Sequence, residues 1–168
     1  AVAFSSVVGA KLLTAGHNSW VAAAAVVGTG ALIGAANGGL IAGLRLSPFI
    51  ITLGNMAIYR GVAFVLTHGL SIGGFPEGFR AWVKWTTPGG LTLVPLGAMI
   101  LVAAAGGVWL QRTVPGRRIY AVGGNETASR FSGIRTGRVK LGVFAVSGLA
   151  AGIAALLSLG YYGSATSA

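Results

Sequence analysis

Few side chains in the sequence could perform acid–base, nucleophilic or metal chemistry. The chain has two acids, Glu77 and Glu126, two histidines, His17 and His68, and no cysteine. A structural zinc site takes about four ligands, and a catalytic triad needs a nucleophile, a base and an acid within hydrogen-bonding reach. Neither arrangement is easily assembled from so few groups, so we expect no catalytic residues and no metal site.

The glycine-rich stretches also lack a nucleotide-binding motif. The sequence contains no GxxxxGK[ST] loop. The pair Gly123-Gly124 is too short to be a dinucleotide fingerprint, and it follows no strand of a βαβ unit. We therefore expect this chain to bind no cofactor.

Polar residues are instead concentrated in one segment near the middle of the second half. Seven of the twelve Lys and Arg residues lie between Gln111 and Lys140. Within this segment Asn125 is a good helix N-cap, Glu126 suits the first turn beside the positive end of the helix dipole, and Gly133 is a natural stop. The spacing predicts a helix of about two turns.

This predicted helix presents two different surfaces. Ala128 and Phe131 lie near one another on one face, and Arg130 lies on another side. An apolar knob inside a charged rim could dock into a groove of a partner protein. A lipid-facing basic loop is the alternative that the residues alone leave open.

The rest of the chain is that of an integral membrane protein. Over the whole sequence, hydrophobic residues make up 54%, charged residues 8%, and the mean hydropathy is +0.80. Because a helix of about 20 residues crosses the hydrocarbon, the apolar runs predict an all-α, polytopic transmembrane bundle with about five spans. The predicted spans are Val2 to Ala15, Trp20 to Gly43, Pro48 to Leu66, Leu93 to Leu110 and Gly137 to Leu159. The first is short and carries Lys11.

The basic residues beside these spans predict the orientation. The loop 111–136 carries five arginines, and Arg138 and Lys140 follow it, whereas the loop 67–92 carries only Arg80 and Lys84. The positive-inside rule places the first loop in the cytoplasm and the second outside. A net charge of +10 would suggest nucleic acid in a soluble protein. Because the basic residues here lie beside membrane spans, we expect them to contact anionic lipid, and we expect no nucleic-acid partner.

Three polar residues lie at membrane depth, where each needs a partner or a water-filled cavity. For Asn37 and Asn55 we favour interhelical hydrogen bonding. Arg60 could line a solute path, pair with another group, or extend toward the periplasm. All three are candidates for the translocation path.

Glycines in the second and fifth spans recur at intervals of four. Small residues at this interval form a groove that lets another helix approach closely. The pattern indicates a compact bundle and no particular substrate. The glycines of this pattern are Gly30, Gly34, Gly38, Gly39, Gly43, Gly148 and Gly152.

Two ordered blocks of sequence resemble a known family. The stretch GRRIYAVGGNETASRFSGIRTGRVKLGVFAVSGLAAGIAALL and the earlier NGGLIAGLRLSPFIITLGNMAIYRGVAFVLT are similar to bacterial sugar ABC-transporter permeases for ribose, xylose, arabinose and related monosaccharides. The resemblance covers nearly the whole chain. A complete family member would be about twice as long, so we expect residues 1–168 to be part of one transmembrane permease domain.

The resemblance implies that the segment 111–136 is the cytoplasmic coupling loop, received by a cleft on an ATP-binding subunit. Glu126, Ala128 and Gly133 would correspond to the acid, alanine and glycine of the importers' coupling-loop signature. Thr127 stands where a second alanine is usual, and the glycine lies one residue farther along. The implied partners are the ATP-binding subunit, which binds the ATP, a second permease subunit and a periplasmic sugar-binding protein. The implied location is the bacterial inner membrane.

Solutes other than a sugar stay open at this stage. A permease of the same superfamily could carry a branched-chain amino acid, a nucleoside or a signalling furanose. A secondary transporter is a further alternative, but it should couple to an ion through membrane-buried carboxylates, and none of the predicted spans contains an acid.

Overall fold

The computed structural model describes residues 1–44, 47–75, 79 and 92–166. These residues form helices joined by short turns, with one small antiparallel pair of strands. In chain order the elements are α1 (Val2–Thr14), α2 (Ser19–Leu44), α3 (Pro48–Thr67), β1 (Ile72–Gly73), α4 (Leu93–Arg112), α5 (Val114–Gly124), α6 (Glu126–Phe131), α7 (Thr136–Tyr162) and β2 (Ser164–Ala165). The all-α fold class is confirmed.

Four of the predicted spans are helices long and apolar enough to cross a membrane. They are α2, α3, α4 and α7, with 26, 20, 20 and 27 residues. The fifth predicted span, Val2 to Ala15, is also an apolar helix, but α1 has 13 residues. At about 1.5 Å per residue it covers about 20 Å, which is less than the hydrocarbon thickness of about 30 Å.

Helices α2 and α7 form the central antiparallel pair of the bundle. Glycines on α2 face glycines on α7, so that backbone meets backbone along much of the contact. At Gly30, Gly34 and Gly148 no side chain separates the two helices, which therefore approach more closely than helices with larger residues could. The pair forms the support on which the other elements pack.

Helix α1 packs against the half of this pair that contains the start of α2 and the end of α7. Val7, Ala10 and Leu13 are buried, and they share one apolar cluster with Val26 of α2 and Leu159 of α7. Their spacing of three residues places all three on one helix face. Large apolar side chains on the remaining helix surfaces are exposed, as expected of helices that face lipid.

The two ends of the bundle differ. At one end β1, which follows α3, pairs with β2, which follows α7, with Ile72 opposite Ala165. At the other end lie α5, α6 and the start of α7, where Gly137 approaches Ala42 of α2. We call these the strand end and the basic end. Because α3 and α7 finish together, both follow the same direction through the bundle, in agreement with the predicted order of spans.

Some residues that carried the orientation lie outside the described part of the chain. These are Arg80 and Lys84. The assignment of the basic end to the cytoplasm therefore stays a prediction from the distribution of charge.

Candidate functional site

The basic segment contains two helices where the sequence predicted one. Helix α5 begins after Thr113, whose hydroxyl accepts a hydrogen bond from the Gly116 backbone N–H at 3.2 Å and donates one to the Trp109 carbonyl at 2.6 Å. Pro115 lies in the first turn, where a missing N–H costs nothing. A capping threonine followed by proline was the signal for α5, and our prediction of a loop with a single short helix missed it.

Helix α6 has the start and end that the sequence predicts. The Asn125 side chain accepts a hydrogen bond from the Ala128 backbone N–H at 2.9 Å, and Glu126 occupies the first turn. Gly133 follows the helix with a φ of 81°, a conformation that costs glycine little. The Ser132 hydroxyl donates to the Ala128 carbonyl at 3.0 Å and helps close the last turn.

One side of α6 is buried and the other faces outward. Ser129 is only 5% exposed, whereas Phe131 is 88% exposed. Ala128 and Arg130 are exposed too. A phenylalanine this exposed on a capped helix is available to fill a pocket of another protein.

An ion pair fixes α6 to the spanning helix α7. The Glu126 Oε1 atom lies 2.6 Å from Lys140 Nζ. The hydrogen bond from Lys140 holds the pKa of the Glu126 carboxyl below its ordinary value of 4.5. Burial opposes this effect, and the charge of Lys140, a hydrogen bond from Thr136 and the charge of Arg130 lower the pKa further. The carboxylate is therefore charged at neutral pH, and the pair is fully formed there.

The glycine pattern divides into two groups in the structure. A Cβ on Gly30 would lie 2.6 Å from the Gly148 carbonyl oxygen and 2.7 Å from Gly152 Cα, and one on Gly34 would lie 2.8 Å from Gly148 Cα. Gly38 lies against Leu141 and Phe144 of α7. In contrast, a Cβ on Gly39 or Gly43 would meet no atom within 4 Å, so these two lie off the α2–α7 contact.

Two of the three candidate path residues contact each other. The Asn55 amide Nδ2 donates a hydrogen bond to Asn37 Oδ1, which joins α3 to α2. Both side chains are half-buried. The pair satisfies one donor and one acceptor and leaves the remaining amide hydrogens and lone pairs available.

The third candidate, Arg60, lies apart from this pair. It lines a cavity of about 380 Å³ between α1, α3 and α7 toward the strand end. Other polar side chains in the lining are those of Ser6, Tyr59, Ser158, Tyr162, Ser164 and Thr166. Phe4 closes one side, with its ring centroid 5.8 Å from that of Tyr59.

Acidic, histidine and cysteine side chains form no cluster of three or more that could hold a metal ion in the described part of the chain. The basic end presents exposed arginines and the exposed Phe131, and the bundle holds polar side chains between apolar helices.

The chain belongs to a family of transport permeases. All of residues 1–168 match the family described as the branched-chain amino acid transport system permease component. The chain is 36% identical to the ribose import permease protein RbsC of Escherichia coli K12 over 167 residues, which cover 98% of this chain and 52% of that protein. It is also 36% identical to the D-allose transport system permease protein AlsC of the same strain, over 98% of this chain and 50% of that protein.

A third relative has a different stated solute. The chain is 38% identical to the autoinducer 2 import system permease protein LsrC of Enterobacter sp. strain 638, over 76% of this chain and 37% of that protein. The chain thus spans about half the length of the curated ribose and allose permeases it matches. No solved structure matches it significantly.

Proposed function

We propose that this chain forms part of the membrane-spanning permease subunit of an ATP-binding cassette importer in the bacterial inner membrane. In this proposal α6 is the coupling helix, and an ATP-binding subunit receives it at the basic end. The permease itself performs no bond chemistry, because the ATP site belongs to that partner. A periplasmic binding protein delivers the solute at the strand end.

The observation that carries this proposal is the construction of α6. Helix α6 begins at the Asn125 cap, ends at Gly133 with its positive φ, and is joined to a spanning helix by the Glu126–Lys140 ion pair. A free surface loop would gain little from these three features. These features hold Phe131 outward on a short rigid unit. Rigidity favours docking because less conformational entropy is lost on binding.

The contacts of α6 provide a mechanical route into the membrane. Movement of the ATP-binding subunits would displace α6, and the Glu126–Lys140 pair would carry the displacement into α7. Helix α7 meets α2 through Gly148 and Gly34 with backbone against backbone. Backbone packed this closely leaves little room for local adjustment, so the contact transmits displacement. Paired permease subunits could then alternate between outward-open and inward-open states.

A monosaccharide is the solute that the comparisons favour. Ribose and allose appear in the names of relatives that cover 98% of this chain, and L-arabinose appears in the name of an Azospirillum brasilense relative that is 35% identical over 93% of it. The second candidate is a different small solute, since the family description names branched-chain amino acids and one group of relatives names autoinducer 2.

An uptake experiment separates these candidates. Cells that express the full-length permease with its ATP-binding and solute-binding partners would be given radiolabelled ribose, allose, arabinose, leucine or autoinducer 2. We expect ATP-dependent accumulation of one monosaccharide and no accumulation of leucine. Uptake of leucine or autoinducer 2 alone would reject the sugar assignment and retain the permease. Absence of ATP-dependent uptake of any of them would contradict the proposal.

A further inference from the structure

The structure has a further cavity, at the basic end, which is lined by three arginines. It has a volume of about 510 Å³ and lies between α5 and α7. Arg118 comes from α5, Arg138 from α7, and Arg135 directly precedes α7. All three side chains are exposed. The cavity therefore concentrates three permanent positive charges, because arginine does not lose its proton in proteins.

No carboxylate lines this cavity among the residues that the structure describes. Glu126, one of the two acids of the sequence, pairs with Lys140. Among the described residues, no ion pair involves any of the three arginines. Like charges held close together repel one another, so an anion from outside the chain would stabilise this arrangement.

The wall of the cavity changes from charged to apolar along α7. Positions 135, 138, 139, 142 and 143 lie on one helix face, since they are spaced by three and four residues. Arginines occupy the first two positions, and Val139, Gly142 and Val143 occupy the rest. The path from position 135 to position 143 measures about 12 Å along the helix. That length is enough to pass from the headgroup layer, about 5 to 7 Å thick, into the hydrocarbon.

We propose that this cavity binds one anionic phospholipid from the leaflet that faces the basic end. Arg118, Arg135 and Arg138 bind the phosphate, which arginine recognises with two parallel hydrogen bonds. One acyl chain lies along Val139 and Val143 and occupies the open space beside Gly142. The polarity of the wall matches that of a lipid, with the charge outside and the apolar part toward the membrane centre. This inference rests on the membrane placement of α7 and is independent of the transport activity.

Native mass spectrometry of the full-length, delipidated protein tests this proposal. The probes are dioleoyl phosphatidylglycerol, dioleoyl phosphatidylcholine and inorganic phosphate. The variant Arg118→Gln/Arg138→Gln removes two charges from the cavity, and Arg112→Gln/Arg117→Gln removes two charges from the same segment outside it. We expect the cavity variant to weaken binding of one phosphatidylglycerol about a hundredfold, from two lost charged hydrogen bonds. The control should weaken it less than about tenfold, through general surface attraction.

Gly142→Leu tests the apolar half of the cavity without changing charge. A Cβ at position 142 meets no atom within 4 Å, and the same holds at Gly106 of α4. Gly142→Leu should fill the acyl-chain space and weaken phosphatidylglycerol binding about tenfold, while Gly106→Leu should not. Because a Cβ meets open space at both positions, this pair remains informative if the arginine variant fails to fold.

Several outcomes would overturn the proposal. One is that phosphatidylglycerol binding weakens equally in the cavity variant and in the control Arg112→Gln/Arg117→Gln. Others are equal retention of phosphatidylcholine and phosphatidylglycerol, or displacement of phosphatidylglycerol by millimolar inorganic phosphate. If Arg118→Gln/Arg138→Gln kept its lipid but no longer co-purified with the ATP-binding subunit, the arginines would bind a protein acid instead.

Discussion

Glu126 Oε1 lies 2.6 Å from Lys140 Nζ, and this contact joins the exposed helix α6 to the spanning helix α7. Both side chains are partly exposed, at 48% and 29%. Exposed ion pairs typically stabilise a protein by less than about 1 kcal/mol. The pair therefore matters mainly because it fixes the position of α6 relative to α7.

The first prediction concerns transmission through this pair. Glu126→Gln and Lys140→Gln should each reduce solute uptake several-fold while lowering the free energy of unfolding by less than about 1 kcal/mol. The charge-reversed variant Glu126→Lys/Lys140→Glu should recover most of the uptake, because it restores the attraction. Uptake by the full-length permease measures both effects. If the reversed pair transported no better than the single variants, the contact would have no role in coupling.

The same pair has a defined dependence on pH. Lys140 lowers the pKa of the Glu126 carboxyl below 4.5. A lowered pKa contributes stability that is complete above the unfolded value and is lost as the pH falls through the folded value. The difference in Tm between the wild type and Glu126→Gln should thus stay constant from about pH 8 to pH 5 and shrink below about 4.5. A difference that grew on acidification would contradict this assignment.

The glycine contact predicts different effects at two glycines of α2, Gly34 and Gly39. Gly34→Ala would place a methyl group against the Phe144 carbonyl oxygen and the Gly148 backbone, neither of which can move away cheaply. We expect a loss of about 1 to 3 kcal/mol in the free energy of unfolding. Gly39→Ala meets no atom within 4 Å and should be neutral or stabilise by up to about 1 kcal/mol. Equal effects in thermal unfolding would contradict the close approach of α2 and α7.

The hydrogen bond between Asn37 and Asn55 predicts coupling between the two positions. Asn37→Leu or Asn55→Leu alone leaves an unpaired amide, and each should cost about 0.6 to 1.7 kcal/mol. The double variant should cost less than the sum, because no amide is left without its partner. Unfolding measurements on all four proteins give the interaction energy. Strict additivity would show that the amides act independently.

Arg60 yields a prediction about the solute path. It lines a cavity with the hydroxyl-bearing residues Tyr59, Ser158 and Tyr162. We expect Arg60→Ala to reduce uptake at least about tenfold, as loss of a charged hydrogen bond to solute implies, and to leave Tm nearly unchanged. Thr52→Ala on the same helix is the control, since the Thr52 hydroxyl is already bonded to the Pro48 carbonyl at 2.8 Å. Normal uptake by Arg60→Ala would remove this residue from the path.

Local signals in the sequence predicted much of the fold. Asn125 and Gly133 fixed the ends of α6, because caps and positive φ angles depend on single residues. The lengths of the apolar runs predicted the spans, because the hydrocarbon thickness sets the number of residues that a spanning helix needs. Helix α5 was not predicted, because the charges of Arg117 and Arg118 fit a solvated loop as well as a helix, and only the Thr113 cap with Pro115 distinguishes the two.

Relationships between elements could not be predicted in the same way. Glycine spacing marks a face but does not say which helix it meets, so Gly39 and Gly43 were indistinguishable from Gly34. The partner of Asn37 and the pairing of β1 with β2 depend on contacts distant in the sequence, and the two-residue strands have no periodicity to read.

The central claim is that α6 docks into an ATP-binding subunit, and site-directed crosslinking tests it most directly. The full-length permease would carry the substitution Phe131→Cys, numbered as in this chain. It would be combined with single cysteines in the co-expressed ATP-binding subunit. Cysteine at position 120 is the control, because Tyr120 of α5 is also exposed but lies outside α6. We expect crosslinks from position 131 that change with ATP, weak crosslinks from position 120, and loss of uptake in Phe131→Asp. No crosslink from position 131, together with normal uptake by Phe131→Asp, would contradict the account.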